Sequence, residues 1–329
     1  MYLKLIPDNT NIPFVKMRFA AFALSGALIV ASIAVVLTLG LNFGIDFKGG
    51  VTVEVADVEP IDIGAVRSSV SALGLGNVKV QAIQDFAGTD EAVVVFVEQQ
   101  DVSTDEEAGA PKGEAEAREN AQQQAAAQVQ DALRTLLGDE IEFRKIEVVG
   151  PTVSGELIQK GAMAVALAIG MMLIYIWFRF EWQFSLGAIV ALVHDVIITL
   201  GLFAFTRLEF NLSIIAAILT IVGYSMNDTV VVYDRVRENL RKFKKKPLAV
   251  VLDLSINETL SRTIMTSGTT LLALGALVIF GGEVLRGFTL AMIWGILIGT
   301  YSSIFVASPF LLATDVKRDW SKQPVAATP

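Results

Sequence analysis

The sequence contains no cysteine and a single histidine, His194, among its 329 residues. The absence of thiols excludes disulfide frameworks, thiolate catalysis and cysteine-bound zinc or iron–sulfur sites. One histidine cannot build a multi-histidine metal site, and the sequence has no P-loop and no nucleophile triad. These absences predict a protein that is not an enzyme and holds no cofactor, so any energy source must be an ion gradient or a partner.

Charged residues are also scarce, at 18% of the chain, whereas soluble proteins carry about 25%. The hydrophobic residues, 53% of the total, are concentrated in stretches that approach the roughly 20 residues needed to cross a bilayer. Six such stretches lie at about 19–41, 161–178, 184–206, 211–233, 263–282 and 288–312. The first is longer than a signal-peptide core of about 7–15 residues, so we interpret it as an uncleaved anchor.

Lysine and arginine residues are distributed unequally between the two ends of these stretches. The segments on the side of the N-terminus hold Arg18, Arg179 and a basic cluster within 235–246, whereas the short opposite loops hold only Arg207 and Arg286. The positive-inside rule therefore predicts that both termini are cytoplasmic. The net charge of −8 gives no reason to expect nucleic-acid binding.

These assignments divide the chain into five parts. The predicted parts are a cytoplasmic N-terminus (1–18), a first transmembrane helix (19–41), an outer domain (42–155), a five-helix membrane bundle (156–314) and a disordered cytoplasmic tail (315–329). Within the bundle, residues 234–262 form a cytoplasmic link that is first basic and then amphipathic. Two interpretations of this link stay open: a helical hairpin held at the membrane surface by anionic lipid, or a docking surface for a partner.

The outer segment has the patterning of a small α+β domain. Apolar alternation and helix-forming composition predict strands at 51–55, 78–83, 92–97 and 141–149, and helices at 61–73 and 114–137. The resulting order, β-α-β-β-α-β, is that of a ferredoxin-like split βαβ fold.

Two other segments of the outer domain have distinctive composition. Residues 99–113 are acidic and rich in glycine and alanine, which predicts a flexible insertion. Gly44, Gly49 and Gly50 lie just before the first strand. Because a strand rather than a helix follows them, they predict a tight junction with the first transmembrane helix and not a phosphate-binding loop.

One acid within a hydrophobic stretch is the most informative feature for function. Asp228 is the only charged residue from Phe210 to Tyr233, and an intramembrane carboxylate costs roughly 2.5–3.5 kcal/mol on insertion scales. The topology places Arg262, at the start of the next stretch, toward the same side of the membrane, within reach of Asp228. Such a pair could load and release a proton as its geometry changes. The alternative is a fixed ion pair that only locks two helices together.

Other polar residues in the stretches are candidates to support Asp228. Asn227 adjoins it, and Thr266 shares a predicted helix face with Arg262. His194 and Asp195 lie in the middle of the third stretch, where a histidine can shuttle protons and a second acid is again costly. The alternative for these two residues is a hydrogen-bonded contact between helices with no role in ion movement.

Several long motifs together resemble one family. They are NFGIDFKGG at 42–50, VGPTVSGE at 149–156, HD at 194–195, SMNDTVVVYDR at 225–235 and NETLSRTIMTSGTT at 257–270. These motifs closely resemble the SecF family, the smaller half of the SecD–SecF accessory complex of bacterial protein export, within the RND superfamily. The resemblance extends over nearly the whole chain, from about residue 12 to residue 314.

The resemblance implies an RND-type half in the bacterial inner membrane, with a periplasmic ferredoxin-like domain. SecF-like proteins pair with SecD beside the SecYEG translocon, and YajC, YidC and an unfolded preprotein are the further expected partners. Flow of protons, or of sodium ions in some lineages, drives motion of the periplasmic domains. The resemblance assigns the family's membrane acid and arginine to Asp228 and Arg262, and implies that a further acid comes from SecD.

Two other functions are compatible with the residues. An RND-type half-transporter for a small solute is one, although such exporters usually carry a larger outer domain than the one predicted here. The other is a non-transporting membrane scaffold, in which Asp228 and Arg262 are only structural.

Overall fold

The structure is a computed structural model that describes residues 10–57, 60–84, 91–98, 112–138, 140–280, 282–314 and 316. Six of its helices are long and apolar enough to cross a membrane, as the sequence predicted. They are α1 (Arg18–Leu39), α5 (Pro151–Arg179), α6 (Trp182–Thr206), α7 (Leu212–Lys242), α8 (Leu248–Phe280) and α9 (Gly282–Ser302). The predicted insertion, apart from its last two residues, and the predicted tail, apart from Val316, lie outside the described residues.

Two of the helices extend well beyond the hydrophobic stretches that predicted them. α7 continues past Tyr233 to Lys242, and α8 already begins at Leu248, so only residues 243–247 separate the two helices. The link at 234–262 is therefore not a separate element, because its arms are the ends of α7 and α8. The charged residues after Tyr233 are good helix formers, whereas Pro247, which lacks an amide hydrogen, stands just before α8.

α6, α7 and α9 form the centre of the bundle. About half of each of their apolar spans is buried, whereas α1, α5 and α8 are largely exposed around them. Two glycines of α9 allow a close approach to α7, because Gly295 contacts Ile221 and Gly299 contacts Ser225 where larger residues would have side chains. This packing holds the polar face of α7 against α9.

α9 ends in an irregular turn. A π-helical turn, Ser303–Ala307, follows it directly and leads into the short helix α10, Ser308–Phe310. A π turn displaces the residues after it from regular α-helical positions, and such turns are frequent at functional sites. The sequence analysis predicted an uninterrupted helix here.

The outer domain has the predicted β-α-β-β-α-β order. Its elements are β2 (Gly50–Asp57), α3 (Ile63–Ser71), β3 (Val78–Gln84), β4 (Glu91–Glu98), α4 (Lys112–Leu137) and β5 (Glu142–Val149). The four strands form an antiparallel sheet in the order β3-β4-β2-β5. With the first strand of the domain in a central position, this is the ferredoxin-like arrangement.

The two faces of the outer sheet bury different residues. Val51, Val53 and Val55 of β2 face the two helices and form the valine-rich core of the domain. On the opposite face, Thr52 and Glu54 are also buried, and they line a cleft shared with the loop that joins α6 to α7. The helix-free face of the sheet therefore lies over the outer end of the membrane bundle.

A small second sheet ties this outer domain to the bundle. β1 (Asn42–Phe43) pairs in parallel with β6 (Glu209–Phe210), which lies between α6 and α7. A short helix, α2 (Ile45–Lys48), then leads from β1 toward the central strand of the larger sheet. The predicted tight junction is thus observed, and it includes a contact with the α6–α7 loop that the sequence analysis did not predict.

Candidate ion-coupling site in the membrane bundle

Asp228 projects from α7 into the centre of the bundle, where only 7% of the residue is exposed. Thr263 of α8 donates a hydrogen bond of 2.5 Å to Oδ1, and Ser303 of the π turn donates to Oδ2. Both partners are hydroxyl groups, so neither brings a positive charge to the carboxylate. Among the described residues, Asp228 is therefore held by hydroxyl hydrogen bonds and not by a salt bridge.

Asp195 of α6 is a second acid in the bundle centre, and 1% of it is exposed. Its Oδ2 accepts hydrogen bonds from Ser225 of α7 at 2.5 Å and from Ser302 of α9 at 2.8 Å. Its Oδ1 lies 2.8 Å from Nδ1 of the adjacent His194. Asp195 thereby joins the three helices that form the centre of the bundle.

The two acids and their hydroxyl partners form one group of neighbouring polar side chains along α7 and at the end of α9. Ser302 and Ser303 are consecutive, yet they donate to different carboxylates. Ser225 and Asp228 are three residues apart on α7 and therefore lie on one face of that helix. We call this group the paired-acid cluster, and it consists of Asp195, Ser225, Asp228, Thr263, Ser302 and Ser303.

A chain of hydrogen bonds leads from the paired-acid cluster to α1. His194 Nε2 lies 3.1 Å from the Ser25 hydroxyl, which lies 3.0 Å from the Tyr301 hydroxyl, and Tyr301 donates to the Ala21 carbonyl oxygen at 3.0 Å. These contacts connect His194 and Asp195 to α1 through the hydroxyl groups of Ser25 and Tyr301.

A further pair of hydroxyl groups lies one helical turn toward the outer end. Ser267 of α8 and Thr300 of α9 are 2.7 Å apart, and Tyr224 of α7 donates to Ser267 at 3.4 Å. Ser267 follows Thr263 by four positions, Thr300 precedes Ser303 by three, and Tyr224 precedes Asp228 by four. Polar groups therefore continue from Asp228 toward the side of the outer domain.

The structure places the predicted residues on two different faces. Asp228 and Asp195 are buried in the paired-acid cluster and His194 is buried beside it, whereas Asn227, Arg262 and Thr266 are exposed on the outside of this chain. The described residues give Asp228 no ion pair with Arg262, and the Thr266 hydroxyl donates only to carbonyls of its own helix.

The predicted polar stripe on α8 is one residue out of register with the stripe that lines Asp228. The sequence analysis selected the face of Arg262 and Thr266, but Thr263 and Ser267 face the bundle. Ser302 and Ser303 were also missed, because serine is common in membrane helices and the π turn has no clear sequence signal. The spacing of Thr263, Ser267 and Leu274 could have identified the buried face of α8.

Comparison with known proteins assigns this chain to a family. Its sequence matches the family described as protein export membrane protein SecD/SecF, C-terminal, over residues 128–317, and the SecD/SecF GG motif over residues 34–56. The protein translocase subunit SecF of Cereibacter sphaeroides is 44% identical over 326 residues, which cover 98% of this chain and 95% of the relative. That of Rickettsia rickettsii is 40% identical over 323 residues, with 98% of each chain covered. The chain belongs to the SecF family of protein translocase subunits.

Solved structures agree with membership of the SecF family. The crystal structure of SecDF, a translocon-associated membrane protein from Thermus thermophilus, is 33% identical with a TM-score of 0.75. SecDF in a super-membrane-facing form is 34% identical with a TM-score of 0.61. Each match covers 95% of this SecF-family chain and 39% of the SecDF chain. Family membership gives the chain a role in protein export as a multi-pass membrane subunit, and its relatives are named as transport subunits rather than enzymes.

The GG-motif segment of this SecF-family chain explains how the outer domain is attached. Gly49 and Gly50 have φ angles of 71° and 133°, a region of backbone conformation that favours glycine. A Cβ atom on Gly50 would also lie 2.5 Å from the carbonyl oxygen of Val97 in β4. The two glycines therefore let the chain turn from α2 directly into the central strand β2.

Asp46, in the same segment, caps the helix that carries Asp228. Its Oδ2 accepts a hydrogen bond of 2.9 Å from the backbone amide of Leu212, the first residue of α7. Asn211 caps the same helix locally, since its Oδ1 accepts from the amide of Ile214 at 3.2 Å. A carboxylate at this position satisfies an otherwise unpaired amide and interacts favourably with the helix dipole. The sequence analysis missed Asp46 because its partner lies 166 residues away.

Arg207 joins the end of α1 to the loop before α7. Its Nη1 donates to the carbonyl oxygens of Leu39 at 2.8 Å and Gly40 at 2.9 Å, which lie at the C-terminus of α1. Asn42 donates in turn to the Arg207 carbonyl oxygen at 2.9 Å. These bonds make α1, the α6–α7 loop and the root of the outer domain one connected junction.

Glu209 brings a titratable group into this junction. Burial raises the pKa of Glu209 above its ordinary value; Lys145 lowers it, and the neighbouring carboxylates of Asp46 and Glu147 raise it further. Gly44 leaves the space for the Glu209 side chain, because a Cβ on Gly44 would collide with the Glu209 carboxyl oxygen. The contact between β1 and β6 is therefore sensitive to the charge of Glu209.

Proposed function

We propose that this chain, paired with SecD, couples ion flow through the membrane bundle to motion of the outer domain and so promotes the export of preproteins. The observation that carries the proposal is the paired-acid cluster. It holds Asp195 and Asp228 in the bundle centre with hydroxyl groups and His194 as their hydrogen-bond partners. Acids in the interior of a membrane bundle are costly and commonly mark ion pathways.

Protonation of Asp228 is the proposed local event. A hydrogen bond to a charged group contributes about 1.5–3 kcal/mol, against about 0.5–1.5 kcal/mol for a neutral pair. When Asp228 gains a proton, its hydrogen bonds with Thr263 and Ser303 become weaker, and α7 is held less firmly; loss of the proton strengthens these bonds again. One charge that crosses 100 mV releases about 2.3 kcal/mol, which is comparable to the difference between two conformations of a protein.

The exposed polar residues support a SecD half within the membrane. Arg262, Asn227 and Thr266 lie on the outside of this chain, where contact of a charged side chain with lipid is costly. SecD would cover this face and bring a further acid toward Arg262. The SecDF chains that this protein resembles are longer, since it spans 39% of each, and their remaining length leaves room for such a half.

α7 provides a mechanical route from Asp228 to the outer domain. Leu212 lies about 24 Å along the helix from Asp228, at about 1.5 Å per residue. Asp46 holds the Leu212 end, and Asp46 is four residues before the strand that forms the centre of the outer sheet. A tilt of α7 at Asp228 therefore moves the root of the outer domain.

The proposal includes the cellular setting and the remaining partners. Both termini are in the cytoplasm and the outer domain is in the periplasm of a bacterium, which the distribution of lysine and arginine supports. The expected partners are the SecYEG translocon, YajC, YidC and an unfolded preprotein. The coupling ion is the proton, which suits a cluster of carboxyl, imidazole and hydroxyl groups; sodium is the alternative.

The test is Asp228→Asn in vesicles that contain this chain with SecD and the translocon. We expect ion flux and preprotein export to fall by roughly 100-fold, the scale of a lost proton-transfer group, while complex assembly stays normal. Asparagine has the size of aspartate but cannot ionise; its amide oxygen accepts a hydrogen bond from one of the two hydroxyl groups of Thr263 and Ser303, and its NH2 group donates to the other. Asp131→Asn on α4 is the matched control, because Asp131 is exposed in the outer domain. Flux driven by a pH gradient or by a sodium gradient identifies the ion.

The other outcomes separate the competing functions. Normal export by Asp228→Asn with full stability would contradict ion coupling at this residue. Loss of assembly with SecD would favour a structural scaffold. Loss of small-solute efflux with unchanged preprotein export would favour a half-transporter.

A further inference from the structure

A basic cleft lies between the end of α5 and the end of α7, at the end of the bundle opposite the outer domain. Its volume is about 640 Å³, and it is lined by Arg179, Asp234, Arg237, Glu238, Arg241 and Lys242. Four of these side chains are cationic and two are anionic, so the cleft carries a net charge of +2. We call it the arginine cleft.

The two acids of the arginine cleft are already engaged by arginines. Asp234 accepts hydrogen bonds from Arg179 through both oxygens, at 3.0 and 2.9 Å. Glu238 lies 2.5 Å from Arg235, which also binds Glu258 at 2.7 Å. These acids therefore order the cleft without neutralising it, because its lining keeps a net charge of +2.

Arg237 has a buried hydrogen-bond donor that lacks an acceptor among the described residues. Its side chain is 19% exposed, and its Nε makes no hydrogen bond. The guanidinium is 3.8 Å from Asp234 and lies over the ring of Phe180 at 5.5 Å, so it is held in place beside the cleft. A buried N–H without a partner is unfavourable, and an anionic ligand in the cleft would supply the missing acceptor.

The arginine cleft lies at the depth of lipid headgroups. Arg179 ends α5, and Asp234 is the first charged residue after Asp228 on α7. Arg237 and Arg241 are about 4.5 and 10 Å farther along α7, at about 1.5 Å per residue. A headgroup layer is about 5–7 Å thick on each side of the hydrocarbon core, and the flexible stems of arginine and lysine cover the remaining distance.

We propose that the arginine cleft binds the phosphate of an anionic phospholipid headgroup. The phosphate accepts from Arg237, Arg241 and Lys242, and the acyl chains lie against the exposed apolar surface of α5. That surface includes Tyr175, Trp177 and Phe178, all of which are exposed in this chain. A bound lipid would then hold α5 against α7, the helix that carries Asp228. Phosphate chemistry alone does not distinguish a lipid from a free anion, so the acyl chains are tested separately.

The test is native mass spectrometry of the full chain in detergent, with phosphatidylglycerol and phosphatidylcholine of equal acyl length. We expect retention of phosphatidylglycerol in preference to phosphatidylcholine. Arg237→Gln with Arg241→Gln is expected to weaken retention by roughly 25-fold, at the usual contribution of a cation near an anionic surface. Lys244→Gln with Lys245→Gln is the matched control, since it removes two charges from residues that do not line the cleft. Arg241→Gln alone serves if the double variant does not fold.

Each alternative result overturns the proposal in a defined way. Equal retention of both lipids, or equal losses in the cleft and control variants, would show that the cleft is not selective for the phosphate. Displacement of phosphatidylglycerol by millimolar inorganic phosphate, with phosphate bound in its place, would identify a free-anion site. Normal lipid retention with loss of SecD binding in the Arg241→Gln variant would assign the cleft to a protein contact.

Discussion

The interiors of the outer domain and of the membrane bundle are built from opposite kinds of residue. The outer domain, which water surrounds, has a core of valine and other aliphatic side chains between its sheet and two helices. The bundle, whose helices are apolar enough to cross a membrane, buries Asp195, Asp228 and His194 together with several hydroxyl groups at its centre.

This difference separates stability from function. Hydrophobic residues of similar volume would stabilise the bundle at least as well as buried acids, since burial of charge costs several kcal/mol. The buried acids therefore add little to stability, and the proposed ion coupling is what gives them a role. The outer domain has the reverse character, because its buried aliphatic side chains contribute to its stability.

We expect the largest effect when a carboxylate is added to the apolar interior of the outer domain. Val53→Asp places an unpaired acid at a fully buried position of β2, at a cost of roughly 3–5 kcal/mol or more. We expect the outer domain to unfold and to become susceptible to limited proteolysis. Asp228→Asn, which removes a carboxylate from the bundle, is expected to leave the melting temperature unchanged or higher. Protease resistance of the Val53→Asp chain would contradict this contrast.

The second effect concerns the hydroxyl partners of the acids. Ser303→Ala removes a donor to Asp228 and is expected to cost roughly 1–3 kcal/mol in the form with ionised Asp228. Preprotein export should slow, and its dependence on pH should shift. Ser308→Ala is the control, because that hydroxyl donates at 2.8 Å to the Ser303 carbonyl oxygen and not to a carboxylate. Equal export rates for the two variants would show that Ser303 has no special role.

The third effect tests the connection between the two regions. Asp46→Ala and Asn211→Ala each remove one cap from α7, and each is expected to destabilise the helix by about 1 kcal/mol. Only Asp46 belongs to the root of the outer domain. We therefore expect export to fall in Asp46→Ala while ion flux continues, and both to stay close to normal in Asn211→Ala. If the two variants lose export equally, Asp46 acts only as a cap.

The smallest effect is a pH dependence of the junction. Burial raises the pKa of Glu209 in the folded protein. At pH values between the ordinary glutamate pKa and this raised pKa, the folded protein therefore binds more protons than the unfolded chain. The stability contributed by Glu209 is therefore present at low pH and lost as pH rises through this window. Glu209→Gln should flatten the corresponding change of melting temperature.

Glu98 serves as a control for the pH experiment, because its pKa is shifted in the opposite direction to that of Glu209. A hydrogen bond from Lys79 holds the pKa of Glu98 below its ordinary value. Its contribution is present above the ordinary glutamate pKa and is lost as pH falls, so Glu98→Gln should lower stability mainly at neutral pH. If Glu209→Gln and Glu98→Gln changed the pH dependence of the melting temperature in the same direction, the opposite pKa shifts of the two residues would not be its cause.

The sequence predicted the repetitive parts of this molecule well. Hydrophobic length identified the six spanning helices, and alternation identified the four strands of the outer sheet, because burial imposes a regular pattern on each element. Asp228, Asp195 and His194 were found because charge is rare in hydrophobic stretches.

The partners of the acids could not be predicted in the same way. Ser302, Ser303 and Asp46 contact residues that are distant in sequence or depend on an irregular turn. On α8, the polar residues on the face of Arg262 were given more weight than the spacing of Thr263, Ser267 and Leu274, so Arg262 was selected where Thr263 makes the contact. Rotation about a helix axis is decided by tertiary packing, as with Gly295 and Gly299 of α9 against α7.

The proposed function requires Asp228 to gain and lose a proton as the bundle works. Infrared difference spectroscopy of this chain with SecD in membranes measures it directly, through the carbonyl stretch of a protonated carboxyl group. We predict a band that appears and disappears when a pH gradient is applied, that is absent in Asp228→Asn, and that shifts in Ser303→Ala. A spectrum identical in the unchanged chain and in Asp228→Asn would contradict the account.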